Sequence, residues 1–323
     1  MADQSSGSGT RRRDGAGRYA RDIPGVGWVL LLLVIVFSIF GSGFATTSNV
    51  LNIGVQSSVL LLLSLPMTFI IMSEGLDLSM GAVLSLSGVV LALLLSQGRA
   101  LPVGLAAALG VGLVFGLANG LLVAGLGIPP FVATLGTLGI AQGVALVATD
   151  GQSVVGIGDR LPALYNSTLA GLPFSILAAA SAYAVLHVVL HYTRFGAYVS
   201  AIGGNREALV LAGVPATRYH VAIYALGGLM AGFAALLLTG RMNSGHPVAA
   251  IGMEFDAIAA VIVGGTSFER GRGTLAGTLV GVCTVGVLKN GLNVLEVSSS
   301  LQVASIGLLV IVALLVDSLR GRS

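Results

Sequence analysis

Five charged side chains stand where an apolar chain ought not to tolerate them. Glu74, Asp77, Glu254, Asp256 and Lys289 each lie in, or at the edge of, a long hydrophobic segment. Charge is costly in such surroundings, so each is held there by a function or by a partner. On one reading these residues shape a polar path or a gate. On the other they cap helix ends, or pair with polar neighbours to fix helix register. Ion coupling calls for a carboxylate deep inside a span. These flank breaks such as Glu74-Gly75, which weighs against proton or sodium symport.

The rest of the reactive inventory is thin. Gly264-Gly265-Thr266-Ser267 is like a phosphate loop only superficially, because it lacks the Gly-Lys-Ser/Thr ending that contacts phosphate and magnesium. There is no GxSxG elbow and no HExxH, and the single cysteine, Cys283, has no partner to pair with. His187 and His191 share one helix face at i, i+4. They adjoin Arg194 at the end of an apolar run, the ordinary place for interfacial histidines. No catalytic residue, metal site or bound cofactor is expected, and no ATP hydrolysis by this chain.

The elements that must position these residues are membrane spans. Of 323 residues 55% are hydrophobic and 9% charged, with a mean hydropathy of +0.97. A soluble domain carries roughly 25% charged residues. So little charge cannot hydrate a globular surface, and most of the surface must face lipid. Spanning helices need about 20 apolar residues. Spans are expected near 25–44, 50–72, 78–97, 101–124, 130–148, 171–192, 217–240, 250–267, 274–292 and 299–318, about ten in all. Pro66 predicts a kink in the second. The eighth is short and carries Glu254 and Asp256, which predicts a tilt or a break. The polar stretch 1–24 reads as a disordered tail and 319–323 as a second tail. The run from Gly25 to Phe44 is too long for a cleaved signal peptide.

Arginine and lysine set the orientation. With the N-terminus inside, the inner side carries Arg11, Arg12, Arg13, Arg18, Arg21, Arg194, Arg206, Arg218, Arg270, Arg272, Arg320 and Arg322. The outer side carries Arg99, Arg160, Arg241 and Lys289, completing the 16 basic residues. Both termini are therefore expected to be cytoplasmic. The N-terminal arginines are a topology signal rather than a nucleic-acid site.

A weak internal repeat runs through the chain. Leu117, Asn119, Gly120, Leu121, Val123, Val132 and Ala133 recur, at a constant offset of 171, as Leu288, Asn290, Gly291, Leu292, Val294, Val303 and Ala304. Asp77 finds an echo in Asp256 after an eight-residue slip. The two copies run in opposite directions across the membrane. Spans two to five thus resemble spans seven to ten turned over, an arrangement that places a path at the repeat interface. Gly112, Gly116 and Gly120 share one helix face, and Gly273, Gly277 and Gly281 do the same in the matching helix, which suits close helix packing in lipid.

Between the sixth and seventh spans lies a short capped helix, 205–213. Asn205 is the expected N-cap, Glu207 suits the positive end of the helix dipole, Gly213 the left-handed stop, and Pro215 prevents a restart. A capped helix in a connection between spans is a handle for a soluble partner.

Several stretches together resemble the permease subunit of bacterial ATP-binding-cassette importers for monosaccharides, the group containing the ribose, xylose and arabinose permeases. They are Glu74-Gly75-Leu76-Asp77-Leu78-Ser79-Met80-Gly81, Phe131-Val132-Ala133-Thr134-Leu135-Gly136-Thr137, Gly203-Gly204-Asn205, the run from Phe255 to Ser267, and Lys289-Asn290-Gly291-Leu292-Asn293. The resemblance implies an all-α, vitamin-B12-importer-like fold in a bacterial inner membrane. It also implies a second permease copy or paralogue, a cytoplasmic ATPase pair and an extracytoplasmic sugar-binding protein. It carries Gly204, Asn205, Glu207, Ala208 and Gly213 over to the helix that docks on the ATPase, with the loop Glu269-Arg270-Gly271-Arg272 as a second contact. Glu74, Asp77, Asn119, Gln142, Asp256 and Asn290 are the residues expected at the path or gate. Three positions depart from the family pattern: Glu74 replaces a usual glycine, Gln142 a common arginine and Lys289 a common asparagine. The competing expectation is an ion-coupled secondary transporter working without an ATPase.

Overall fold

The computed structural model describes residues 23–267 and 271–320. Of the expected tail over 1–24, residues 1–22, with Arg11, Arg12, Arg13, Arg18 and Arg21, lie outside the described residues, as do Glu269, Arg270 and Arg322. Positions 23 and 24 open the first helix, and 319 and 320 close the last.

A helix lies at each of the ten expected segments. They are α1 (Ile23–Phe40), α2 (Thr47–Met72), α3 (Met80–Ser96), α4 (Leu101–Gly120), α5 (Pro130–Thr149), α7 (Phe174–Tyr192), α9 (Ala216–Met242), α10 (Met253–Val263), α11 (Leu275–Val294) and α12 (Ser299–Arg320). Two more helices fall in connections where only a loop or a shorter helix was expected: α6 (Arg160–Tyr165) and α8 (Arg194–Leu211). A two-stranded turn, β1 (Thr168–Leu169) with β2 (Leu172–Pro173), leads into α7. Among the described residues six helices are long and apolar enough to cross a membrane, and α1, α3 and α12 hold shorter apolar stretches.

Helix α2 is the centre of the bundle. It is apolar all round, which suits a helix with neighbours on every side. From Ser58 to Met72 every residue is buried, and α7, α8, α9, α10 and α11 all pack on it. Thr46 starts it by accepting the Asn49 N–H at 3.3 Å. The helix runs on through Pro66. Helix α3 is buried along most of its length, between α4, α5 and α9. The outer helices instead display Trp28, Phe40, Val114, Val147 and Val185. A broad apolar surface of this kind belongs against lipid.

The two glycine rows both allow backbones to touch, yet against different neighbours. Added Cβ atoms on Gly112, Gly116 and Gly120 would run into the backbone of Gly228, Tyr224 and Val221 on α9. Those on Gly277 and Gly281 would meet Gly264 and Ala260, at and beyond the end of α10, while one on Gly273 would meet Thr266 and Met72. The rows are out of register by two residues relative to the repeat offset, so they present different faces.

Candidate functional site

The α2–α3 connection is built by local geometry. Helix α2 ends in a paired stop, with the Glu74 N–H on the Ile71 carbonyl at 3.0 Å and the Gly75 N–H on the Ile70 carbonyl at 2.8 Å. Such a stop puts its turning residue in the left-handed region. That residue is Glu74, at φ 60. Its side chain is exposed. Three residues on, Asp77 is 1% exposed and accepts the Ser79 N–H at 2.8 Å and the Ser79 hydroxyl at 2.6 Å, a turn that launches α3.

Around Asp77 the fold gathers side chains from three other elements. The Asn119 Nδ2 on α4 donates to the Ser79 hydroxyl oxygen at 2.8 Å and lies 3.3 and 3.4 Å from the two Asp77 oxygens. Thr137 on α5 donates to the Asn119 Oδ1 at 2.6 Å. Tyr224 on α9 reaches the Leu76 carbonyl at 3.4 Å, as does the Thr134 hydroxyl. Gly75 must lack a side chain, because a Cβ there would strike the Tyr224 hydroxyl. The result is a buried donor chain from Thr137 through Asn119 and Ser79 to a carboxylate that has no cationic partner among the described residues. Serial hydrogen bonds of this kind polarise one another, and every member depends on the rest. Directly after Asn119 and Gly120, the π-turn Leu121–Gly125 ends the helix, a distortion frequent at functional positions.

The second half of the chain uses its echoed residues otherwise. Asn290 does not meet Asp256. It exchanges two amide hydrogen bonds with Asn49 on α2, at 2.8 and 3.0 Å. Asp256 is ion-paired with Lys289. Glu254 is buried, and both its oxygens accept the Gly252 N–H at the start of α10, at 3.0 and 3.1 Å. Gln142 stands apart, half-buried on α5. Asp77 and Asn119 are therefore brought together, whereas Glu74, Gln142, Asp256 and Asn290 are not part of their cluster. Ser79, Thr137, Tyr224 and Asn49 belong to these junctions without having been singled out. Polar atoms inside apolar segments were the available signal for Ser79, Thr137 and Tyr224; Asn49, in the polar run before its span, gave none.

The capped helix is the second site. Helix α8 breaks at Asn205, which is extended at φ −162 and ψ 88. The Asn205 Oδ1 accepts the Ala208 N–H at 2.9 Å, an N-cap that opens a new short helix over 206–211. It closes with the Gly213 N–H on Val210 at 2.9 Å and the Val214 N–H on Leu209 at 3.2 Å, with Gly213 at φ 80. Gly204, Asn205, Glu207, Ala208 and Gly213 are all exposed. Leu209 is tucked inward, but Val210 and Leu211 are 55% and 88% exposed. At its root, added Cβ atoms on Gly203 and Gly271 would strike the Met72 and Ser200 carbonyls, so the helix is seated directly on the end of α2 and on Gly271.

At the opposite end of α9 two connections meet. Val154 and Gly245 exchange backbone hydrogen bonds at 2.8 and 2.9 Å, and Gly240 leaves room for Tyr165. Burial pushes the Tyr165 phenol up, a rise opposed by the nearby Arg241 charge. His187 and His191 stack, ring centroids 4.3 Å apart.

An all-helical chain with these long apolar helices is a multi-pass membrane protein of the permease class. The profile of the family described as "Branched-chain amino acid transport system / permease component" matches residues 49–315, and this chain belongs to that family. Among relatives, it is 41% identical to the ribose import permease protein of Bacillus subtilis (strain 168), over 89% of this chain and 90% of the relative. It is 36% identical to the D-allose transport system permease protein of Escherichia coli (strain K12), over 89% and 90%. It is 33% identical to the L-arabinose transport system permease protein of the same strain, over 99% and 97%. No solved structure matches this chain.

Proposed function

We propose that this chain is the membrane-spanning subunit of an ATP-driven monosaccharide importer in a bacterial inner membrane. The observation that carries the reading is the short helix over 206–211. It has its own cap at Asn205 and its own stop at Gly213, and it presents Glu207, Ala208, Val210 and Leu211 outward. Exposed apolar side chains on a polar connection suit a protein partner better than water. A cytoplasmic ATPase gripping this helix moves α2 through Gly203 and Met72, and the start of α11 through Gly271 to Thr274. Gly204, Asn205, Glu207, Ala208 and Gly213 form the grip. The sequence holds no Walker A stretch, which supports assigning hydrolysis to the partner.

Sugar as cargo rests on the relatives. Although the family profile is described for branched-chain amino acids, the relatives matched over nearly their full length are named for ribose, allose and arabinose. A pentose is the first cargo to try, with hexoses close behind. An extracytoplasmic sugar-binding protein docks where Val154 and Gly245 join the two connections. A second copy or paralogue completes the path. Ten crossings with both termini cytoplasmic fit the ten helices and the basic residues.

Helix pairing supports the inverted repeat. Within the first unit α3 packs on α4 and α5, and within the second α10 packs on α11 and α12. Across the units α9 packs on α3 and α4, while α2 packs on α10 and α11. Exchanging α2 with α9, α3 with α10, α4 with α11 and α5 with α12 preserves this pattern, as a vitamin-B12-importer-like fold requires. Asp77 and Asn119 then clamp one unit, Asp256 with Lys289 joins α10 to α11 in the other, and Asn290 with Asn49 ties α11 to α2 across the units, next to the path.

The test is uptake into proteoliposomes containing this chain, its ATPase and the loaded binding protein. Glu207→Arg is expected to abolish most ATP-dependent uptake while leaving the permease folded. Unchanged uptake in that variant removes the docking role. Uptake driven by an ion gradient without any ATPase replaces the importer with a secondary transporter.

A further inference from the structure

Helices α7 and α9 do not close on each other along their length. Between them lies a cleft of about 660 Å³, lined along α7 by Phe174, Ala182 and Val189 and along α9 by Ala222, Met230 and Phe233. That volume is within the range of ligand sites, about 300–1,000 Å³. The cleft offers no free polar group: the hydroxyl of its one serine, Ser181, donates to the Leu177 carbonyl at 2.7 Å. Both walls are helices long and apolar enough to cross a membrane. The lining runs from 174 to 189 on one wall and from 222 to 233 on the other, roughly 16–22 Å at about 1.5 Å per residue. A hydrocarbon core is about 30 Å thick, so the cleft has the length of one leaflet.

One end adjoins two arginines. Phe195 lines the cleft and lies 6.2 Å, centroid to centroid, from Tyr219. The residues immediately before these two are Arg194 and Arg218, both exposed. Arg218 is also one helical turn before Ala222, on the same face of α9. Neither arginine has an ion-pair partner among the described residues. The far end is lined by Phe174 and Phe233.

We infer that this cleft binds an anionic phospholipid of one leaflet, with an acyl chain between α7 and α9 and the phosphodiester at Arg194 and Arg218. Basic pockets between spanning helices select anionic head groups in this way, and arginine forks onto phosphate oxygens. The bound lipid wedges α7 at the end of the molecule that carries the capped helix, directly before α8. The inference does not depend on what the permease transports.

The experiment is native mass spectrometry of the detergent-purified permease with equal amounts of phosphatidylglycerol and phosphatidylcholine. Two arginines at a membrane surface predict about a thirtyfold preference for the anionic lipid. In Arg194→Gln/Arg218→Gln the preference falls towards unity; both side chains are exposed, so folding is spared. Ala222→Trp fills the cleft and lowers retention of both lipids. Equal retention of the two lipids by the unchanged protein overturns the inference, as does an undiminished preference in the double glutamine variant. A dimer that excludes both lipids also overturns it, and assigns the face to a second copy.

Discussion

Exchanging Asp77 and Asn119 tests whether the buried donor chain holds the α2–α3 connection to α4. In Asn119→Asp alone, two carboxylates face each other at about the 3.3 Å that now separates Nδ2 from Oδ2. At an effective dielectric constant of about 20 the repulsion of two charged groups is about 5 kcal/mol, so one of them takes up a proton, which caps the cost at about 4 kcal/mol at neutral pH. In Asp77→Asn alone the charge is gone, one acceptor becomes a donor facing the Asn119 donor, and the expected cost is about 1 kcal/mol. In Asp77→Asn/Asn119→Asp an amide again meets one carboxylate. The Ser79 hydroxyl can turn its proton to the new acid, and Thr137 keeps an acceptor. The double variant is therefore expected within about 1–2 kcal/mol of the unchanged protein, far better than Asn119→Asp. The assay is the melting midpoint of the detergent-purified permease, with ATP-dependent uptake measured in parallel. A double variant as unstable as Asn119→Asp refutes the reasoning, because mutual satisfaction of the two side chains would not then be what they contribute. So does an Asn119→Asp variant that melts like the unchanged protein.

Glu74 occupies a left-handed helix stop that glycine fits without strain, so Glu74→Gly is expected to stabilise by about 1 kcal/mol. A lower melting midpoint would give the exposed Glu74 carboxylate a contact that outweighs its backbone strain. Gly228→Ala forces α4 and α9 apart where Gly112 touches Gly228 and is expected to cost about 1–3 kcal/mol; adding Gly112→Ala should then cost less than it does alone, since the helices have already separated. Strictly additive losses in that cycle of melting midpoints would show that the two positions do not share one contact.

What the sequence determined is what depends on near neighbours. The cap at Asn205 and the stop at Gly213 are hydrogen bonds three to five residues long, so the residue types at those spacings suffice to write them. The ten apolar segments follow from hydropathy alone, because every backbone group in lipid must be satisfied within its own helix. The same rule made the short helix legible but hid the helix before it, since 194–204 is too polar to read as a span and carries no cap of its own.

What the tertiary structure decided is which distant residues share a contact. Asn119 and Asn290 are matched by the 171-residue sequence offset, yet one closes on Asp77, 42 residues away, and the other on Asn49, 241 residues away. The two glycine rows look alike and touch different helices, α9 in one case and mainly the α10 end in the other. Tyr224 reads as one aromatic residue in an apolar run until the turn at Leu76 is folded beneath it. The physical reason is that a helix specifies its own backbone bonds internally but not its neighbours. Which side chains meet depends on how each helix is rotated and crossed against the others, and that is set by the packing of the whole bundle.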